Sequence, residues 1–432
     1  NGSGEKILKE KAPCVRNCYY NLPKRERRLP KIYGSEDMDE LLILSNSPGE
    51  VSGWMEPVAR ALDKRGAGLS LTAVTLPCPY ASGREGAHAR TLPGVTDVLT
   101  LREAIRRKYR KSRRIILQLG GDPMFGHVLS LKTRSPWMIY SARPRWRRSV
   151  HHYFVPNDEA LAKFDGAGIN ETRRTVVGNL ILDSVPDLSS LNVADFRARY
   201  DLTAKHIICF MPGSRPFEYM HGVPFYAECA RLICKKYPEW QAVMPLAPTV
   251  DEDRLKSGLD KYGVEWHGDN IAEELRPEGE CRIPLVRGRQ YEAIASSTAA
   301  VAFPGTNNLQ IAALGVPLIS VAPLNEAQNV PLDGIAGSIP QNAKWLRKLK
   351  KRIVLWYNAR EKYVSLPNRS AGELLVPEIR ELMTPESACA NIEKLIESEE
   401  LREKIIGGYT RLDLRRGASS RIADKICEFF EK

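Results

Sequence analysis

The chain has 432 residues, 43% of them hydrophobic, with 64 Lys and Arg against 52 Asp and Glu and a formal net charge of +12. That length exceeds one ordinary domain and the apolar content suffices for two packed cores, while no run of about 18 apolar residues exists to span a bilayer and the opening Asn1-Gly2-Ser3-Gly4 has no apolar core of a secretory signal. The positive excess favours anionic partners, whether phosphate, nucleic acid or an acidic lipid surface, without choosing among them.

Residues 1–38 read as an extended basic arm. Cys14 and Cys18 lie there four apart, with no second Cys/His pair at zinc spacing, so no metal site is expected. The other cysteines sit mostly in apolar patterns and read as buried free thiols of a reducing cytoplasm. Strands and helices then alternate. Residues 41–44, 69–76, 114–119, 137–140, 152–155 and 175–177 read as strands, and 53–64 as a helix. A softer, Pro- and Ser-containing stretch runs over 183–192. The alternation restarts with strands at 207–211 and 241–246, a helix at 224–236, and a strand pair flanking Gly305. Residues 399–432 read as a charged helical segment. The fold class expected is α/β: two doubly wound domains facing a ligand cleft, at 39–190 and 200–398, followed by that segment.

Two turns carry the strongest local chemistry. At Phe303-Pro304-Gly305-Thr306-Asn307-Asn308-Leu309-Gln310 a strand ends in a small polar turn and feeds a helix. At Met211-Pro212-Gly213-Ser214-Arg215 another strand ends in a small-residue turn beside a cation. Both turns point backbone N–H groups at one spot, which suits a diphosphate or sugar hydroxyls. Arg215 would grip phosphate oxygens bidentately; an interdomain ion pair is the structural alternative. Gly305 and Thr306 would cradle phosphate or ribose, with Asn307, Asn308 or Gln310 bonding hydroxyls, against plain helix capping. His151 and His152 are adjacent and point to opposite faces of a strand, so they do not form a joint metal site. Basic residues cluster at 24–31, 106–114, 143–148 and 344–352; the first two read as solvated faces. Residues 345–357 mix cations with Trp and Leu, a pattern that suits an anionic membrane surface or a buried helix face.

Six motifs in order resemble the lipid-A-disaccharide synthase family. They are Gly49-Glu50-Val51-Ser52-Gly53; Gly121-Asp122-Pro123 with Phe125; Val177-Gly178-Asn179 with Asp183; Pro212-Gly213-Ser214-Arg215 with Glu218; Gly305-Thr306; and Leu366-Pro367-Asn368 with Ala371-Gly372 and Pro377-Glu378. The resemblance covers most of the chain beyond the arm. It implies the GT-B glycosyltransferase architecture of two facing Rossmann-like domains and an inverting transfer that needs no metal or other cofactor. The donor would be a UDP-sugar, an acylated UDP-glucosamine, and the acceptor a membrane-associated sugar phosphate or related lipid. It implies Asp122 as general base, with a turn-forming Asp-Pro pair as the structural alternative, Asn368 at the nucleotide, a homodimer exchanging C-terminal segments, and a peripheral location on the inner face of the cytoplasmic membrane; Glu50 reads as a second catalytic residue that positions the acceptor, or as a helix N-terminal charge, and Ser52 as a substrate contact. The sequence departs from the family pattern at Trp54, Gln310 and Glu373, which marks a divergent relative. A UDP-sugar 2-epimerase-like enzyme on the same scaffold is the alternative. Nucleic-acid binding ranks last, since no recognition motif accompanies the charge.

Overall fold

A computed structural model describes residues 38–431 apart from 111, 260–262, 269–272, 278–280, 326–350, 353 and 357. The basic arm, Cys14, Cys18 and most of the 345–357 segment therefore lie outside the described residues.

The first lobe is built on seven strands: β1 Glu40–Ser45, β2 Ser70–Thr75, β3 Val95–Thr100, β4 Arg114–Gln118, β5 Trp137–Tyr140, β6 His152–Val155 and β7 Arg174–Val176. Their order across the sheet is β3-β2-β1-β4-β5-β6-β7, all parallel. β1 shows why such a strand reads as a continuous apolar run. Leu41 and Ile43 enter one core cluster and Leu42 and Leu44 the other, because alternate side chains face opposite, equally covered sides. β3 escaped the sequence reading: it is an edge strand whose Thr96 and Asp97 are exposed.

Three helices of this lobe shape the site. After a π-helical turn at Val51–Met55 comes α1 (Glu56–Lys64); α2 spans Pro123–Thr133 and α3 Leu180–Asp183. The basic run at 106–114 is partly structural rather than solvated. Arg114 is buried against Glu40 at 2.5 Å, and Arg113 pairs with Asp39.

The second lobe carries β8 His206–Met211, β9 Trp240–Pro245, β10 Glu265–Gly268, β11 Glu273–Arg276, β12 Ile283–Val286, β13 Ala299–Ala302, β14 Leu318–Pro323 and β15 Glu378–Glu381. The order is β10-β11-β12-β9-β8-β13-β14-β15, with β10, β11 and β12 antiparallel and the rest parallel. Two Rossmann-like lobes therefore face each other. The helix expected from Pro224 begins at Pro216 instead: α4 is Pro216–Lys236, and Pro224 lies buried within it. Further helices are α5 Thr306–Ala313, α6 Leu366–Ala371, α7 Pro385–Glu397 and α8 Ala418–Glu431.

α8 leaves the second lobe and closes the first. Ala418, Ile422, Ala423, Ile426 and Phe430 pack into the core cluster that contains Leu41 and Ile43. Asp183 fixes its start by accepting N–H bonds from Gly417 and Ser419 at 2.6 and 2.5 Å, and Arg421 donates to the Val177 carbonyl. The Val177-Gly178-Asn179…Asp183 motif thus ties the chain's end to the first lobe. No helix among the described residues is long and apolar enough to cross a membrane.

Candidate active site between the lobes

The turns that leave β1, β8, β9 and β13 at their carboxyl ends converge on one cavity of about 360 Å³. This is where ligands of open parallel sheets sit. The cavity brings together Glu50 and Ser52 from the first lobe with Gly213, Ser214, Arg215, Gly305, Thr306, Asn307 and Gln310 from the second. The two lobes nearly touch here: a Cβ placed on Gly49 would lie 3.6 Å from Thr306 Oγ1. A second cavity, about 490 Å³, opens on the first-lobe side and shares Glu50 and Trp54 with the first. Glu50 therefore stands at the boundary of two chambers.

Local structure explains how a carboxylate is held there. Ser47 caps the turn Pro48–Glu50, and the Asn46 N–H donates to Glu50 Oε2 at 3.3 Å. The carboxyl presses against Gly120, where an added Cβ would meet Oε2 and push the carboxyl out of this position. Burial pushes the Glu50 pKa up to about 7, against the opposing hydrogen bonds from the Asn46 and Ser47 backbone and the attraction of Arg215. A desolvated carboxyl poised near neutrality and facing a guanidinium fits proton transfer at a reacting hydroxyl.

Arg215 reaches the cavity from the start of α4. Its guanidinium lies over the Tyr80 ring, 4.6 Å from the centroid, and its Nη1 sits 3.3 Å from Glu218 Oε1. Tyr80 belongs to the first lobe, so the cation is seated across the cleft. The turn itself departs from expectation. Glu218 Oε2 accepts the N–H groups of Ser214 and Arg215, at 3.0 and 3.1 Å, so these two amides are organised from inside and do not form an open phosphate cradle. Gly213, at φ 91°, allows that carboxylate to fold in: a Cβ would meet Glu218 Oε2 at 2.4 Å.

At the other turn, α5 presents its first residues, Thr306 and Asn307, to the cavity. Asn308 does not reach it. Fully buried, it donates to the Phe303 carbonyl and accepts from the Gly305 N–H, which shapes the turn from behind. Gln310 does line the cavity, and its Nε2 donates to Ser184 Oγ at 2.9 Å and Tyr291 Oη at 3.2 Å. Thr249, 1% exposed, lines the same wall, and its hydroxyl has no protein partner.

Two expected residues stand elsewhere. Asp122 is exposed, and its carboxylate caps α2 by accepting the Met124 N–H at 2.8 Å. Its neighbours Gly121 and Pro123 line the second cavity but Asp122 does not, which leaves Glu50 as the carboxyl at the chamber boundary. Asn368 is 0% exposed and saturated. Its Oδ1 accepts from the Leu375 and Val376 N–H groups at 2.7 and 2.9 Å, and its Nδ2 donates to the Val376 carbonyl and to Glu378 Oε1 at 2.8 and 2.7 Å. Both donors and both acceptor positions are used, so no bonding capacity remains for a nucleotide. Its motif is a structural knot. Asn368→Ala should destabilise the chain by about 2–4 kcal/mol, because buried amides lose their acceptor. Thermal denaturation would read this as a drop of roughly 2–4 °C.

Ser52 Oγ lies 3.3 Å from His88 Nε2, which in turn is 3.6 Å from Glu56 Oε2. Burial raises the Glu56 pKa, but His88 and Arg60 outweigh it and hold the carboxyl below its usual range. Ser52 is thus fixed within a charged network at the cavity wall. Among the described residues no group of His, Cys, Asp and Glu is arranged to hold a metal ion.

Residues to which the sequence assigned no role in the site complete it. Trp54 forms part of the wall common to both chambers, edge-on to Tyr140 at 5.6 Å. Tyr80, Ser184 and Tyr291 anchor Arg215 and Gln310. Tyr80 follows a Pro-Cys-Pro loop and carried no motif; its role appears only when the lobes are brought together.

No family model matches the chain. Among curated proteins it is similar to lipid-A-disaccharide synthases. It is 26% identical over 257 residues to that of Myxococcus xanthus (strain DK1622), covering 58% of this chain and 56% of the relative. It is 31% identical over 169 residues to that of Syntrophus aciditrophicus (strain SB), covering 39% and 38%. It is 24% identical over 303 residues to that of Thiobacillus denitrificans, covering 68% of each. The chain spans about half the length of the first two. Among solved structures it resembles the UDP-GlcNAc 2-epimerase from Neisseria meningitidis bound to UDP-GlcNAc, with TM-score 0.51, 13% identity, and 91% of this chain and 100% of that one covered. It also resembles the Methanocaldococcus jannaschii UDP-GlcNAc 2-epimerase in complex with UDP-GlcNAc and UDP, with TM-score 0.50, 13% identity, and 90% and 100% covered. At that identity these two likenesses establish the shared double-lobed fold.

Proposed function

We propose that this chain, a divergent relative of the lipid-A-disaccharide synthases, is an inverting glycosyltransferase that takes a UDP-sugar in the first cavity and a lipid-linked sugar in the second. The observation that carries this reading is Glu50, a desolvated carboxyl shared by both cavities and facing Arg215. In its ionised form Glu50 takes the proton from the acceptor hydroxyl. The hydroxyl oxygen attacks the anomeric carbon as the bond from that carbon to the diphosphate breaks, and the configuration inverts. The departing electron pair ends on the diphosphate, which Arg215 and the first turn of α5 stabilise. Thr306, Asn307 and Gln310 are placed to bond diphosphate or ribose oxygens, and Ser52 to orient the acceptor.

The finer identities follow from the family likeness: an acylated glucosamine as the transferred group, a membrane-associated sugar phosphate as acceptor, and work at the inner face of the cytoplasmic membrane. Domain limits near 39–190 and 200–398 belong to the same reading.

The test is incubation with UDP-2,3-diacylglucosamine, with and without its 1-phosphate sugar. UDP release that requires the acceptor, together with a new disaccharide, is the expected result. UDP release at the same rate without acceptor, with a 2-epimerised or eliminated sugar, would favour the epimerase-like alternative that shares this fold.

A further inference from the structure

The first lobe presents an apolar ridge on a cation-rich stretch of chain beside the second cavity. On α2, Met124, Val128 and Leu131 are 47%, 39% and 67% exposed. Their spacing places them in one stripe along the helix. His127, on the same face, packs against Trp146 with ring centroids 4.7 Å apart and the planes tilted by 36°, so the stripe continues into Trp146, itself 40% exposed. Trp146 has φ 56°, a conformation unfavourable for a bulky side chain. Its carbonyl accepts the N–H groups of Ser149 and Val150, which hold the turn in that shape. The fold thus spends strain on keeping a tryptophan at the surface.

Beyond the Asp122 cap, the charge carried by this stretch of chain has one sign. From residue 123 through 157 the sequence contains no Asp or Glu, but it contains Lys132, Arg134, Arg143, Arg145, Arg147 and Arg148. All six are exposed. Arg143 and Arg145 also line the second cavity, together with Pro123 at the start of α2. Protruding aliphatic groups, one tryptophan and a collar of arginines complement a surface that is negative at headgroup depth and apolar just beneath it.

We infer that the Met124–Leu131 stripe with Trp146 docks on an anionic phospholipid bilayer and so brings the second cavity to the membrane surface. The docking stands on the ridge and its charge; its use for delivering an acceptor rests on the second cavity's proposed role. This face differs from the 345–357 segment singled out in the sequence, whose described part exposes Trp356 under the Arg360 guanidinium.

Co-sedimentation of the full chain with phosphatidylglycerol-containing vesicles tests it, with pure phosphatidylcholine vesicles as reference. Binding should favour the anionic vesicles and weaken with salt. Leu131→Glu, at a site too exposed to disturb the core, should lower binding at least about tenfold; Trp356→Ser should not. Sedimentation equilibrium and thermal denaturation verify that Leu131→Glu remains folded. Unchanged binding of Leu131→Glu, no preference for anionic lipid, or self-association of the chain that Leu131→Glu abolishes would each overturn the inference. Turnover with a detergent-dispersed acceptor separates the two readings. If vesicles bind as expected but no sugar is transferred, the docking stands and the glycosyltransferase reading fails.

Discussion

Glu50→Gln is expected to lower kcat by about 10²–10⁴, the usual contribution of a positioned general base. Glutamine keeps the volume of the side chain and an oxygen that can accept the Asn46 N–H. It removes only the capacity to take a proton, so the KM for the donor should stay nearly constant. The pH dependence gives a second readout. The pKa of the Glu50 carboxyl is raised to about 7 by burial, and the proposed base is its ionised form. Accordingly kcat/KM should climb as pH rises through that value and fall below it as Glu50 takes up a proton. The ascending limb should vanish in Glu50→Gln. Asp122→Asn, by contrast, should keep most of the activity, because its carboxylate caps α2 outside both cavities. Equal losses in the two variants would count against the assignment of the base.

The second large effect is expected at Arg215. Arg215→Ala removes the guanidinium proposed to hold the diphosphate, a charge-assisted bidentate contact of about 3 kcal/mol, so kcat/KM should drop roughly 100-fold. It should also move the ascending pH limb to higher pH, since the attraction of Arg215 lowers the Glu50 pKa. Arg215→Lys should recover only part of the loss, because an ammonium lacks the planar fork. The Tyr80 ring seats the guanidinium across the cleft. Tyr80→Phe, which keeps that ring, should be close to the parent, whereas Tyr80→Leu should raise the KM for the donor. Steady-state kinetics with donor and pH varied would read all four variants.

Much of the scaffold could be read from residue patterns where burial is two-sided. β1, β4, β8 and β13 are continuous apolar runs because helices cover both their faces. Strands that depart from that condition gave no such signal. β3 lies at an edge with exposed polar residues, and β10 and β11 form an antiparallel extension rich in Glu, Arg and His. Pro224 read as a helix start, yet it lies inside α4.

The site was legible as turns and not as roles. Strand-end motifs located both lobes' contributions at 49–52, 213–215 and 305–310. Which side chain faces the ligand depended on specific side-chain-to-backbone pairings, most of them within ten residues and one, Glu50 against Gly120, distant in sequence. Asn368 and Asn308 look like ligands in a motif, but backbone groups around them consume their hydrogen bonds. The importance of Glu50 comes from desolvation against Gly120, on the next strand's loop. Glu218 occupies the amides of Ser214 and Arg215, so the proposed phosphate contact falls to the Arg215 side chain. None of these pairings has a periodic signature in the sequence.

The whole proposal turns on a nucleotide diphosphate entering the interlobe gap on the far side of Glu50 from the lipid chamber. A crystal structure of the chain soaked with UDP addresses this most directly. The diphosphate oxygens should lie within hydrogen-bond reach of the Arg215 guanidinium and the Thr306 end of α5, with the Glu50 carboxyl opposite and open to the second cavity. UDP seated on another surface, or a diphosphate beyond the reach of Arg215, would contradict it.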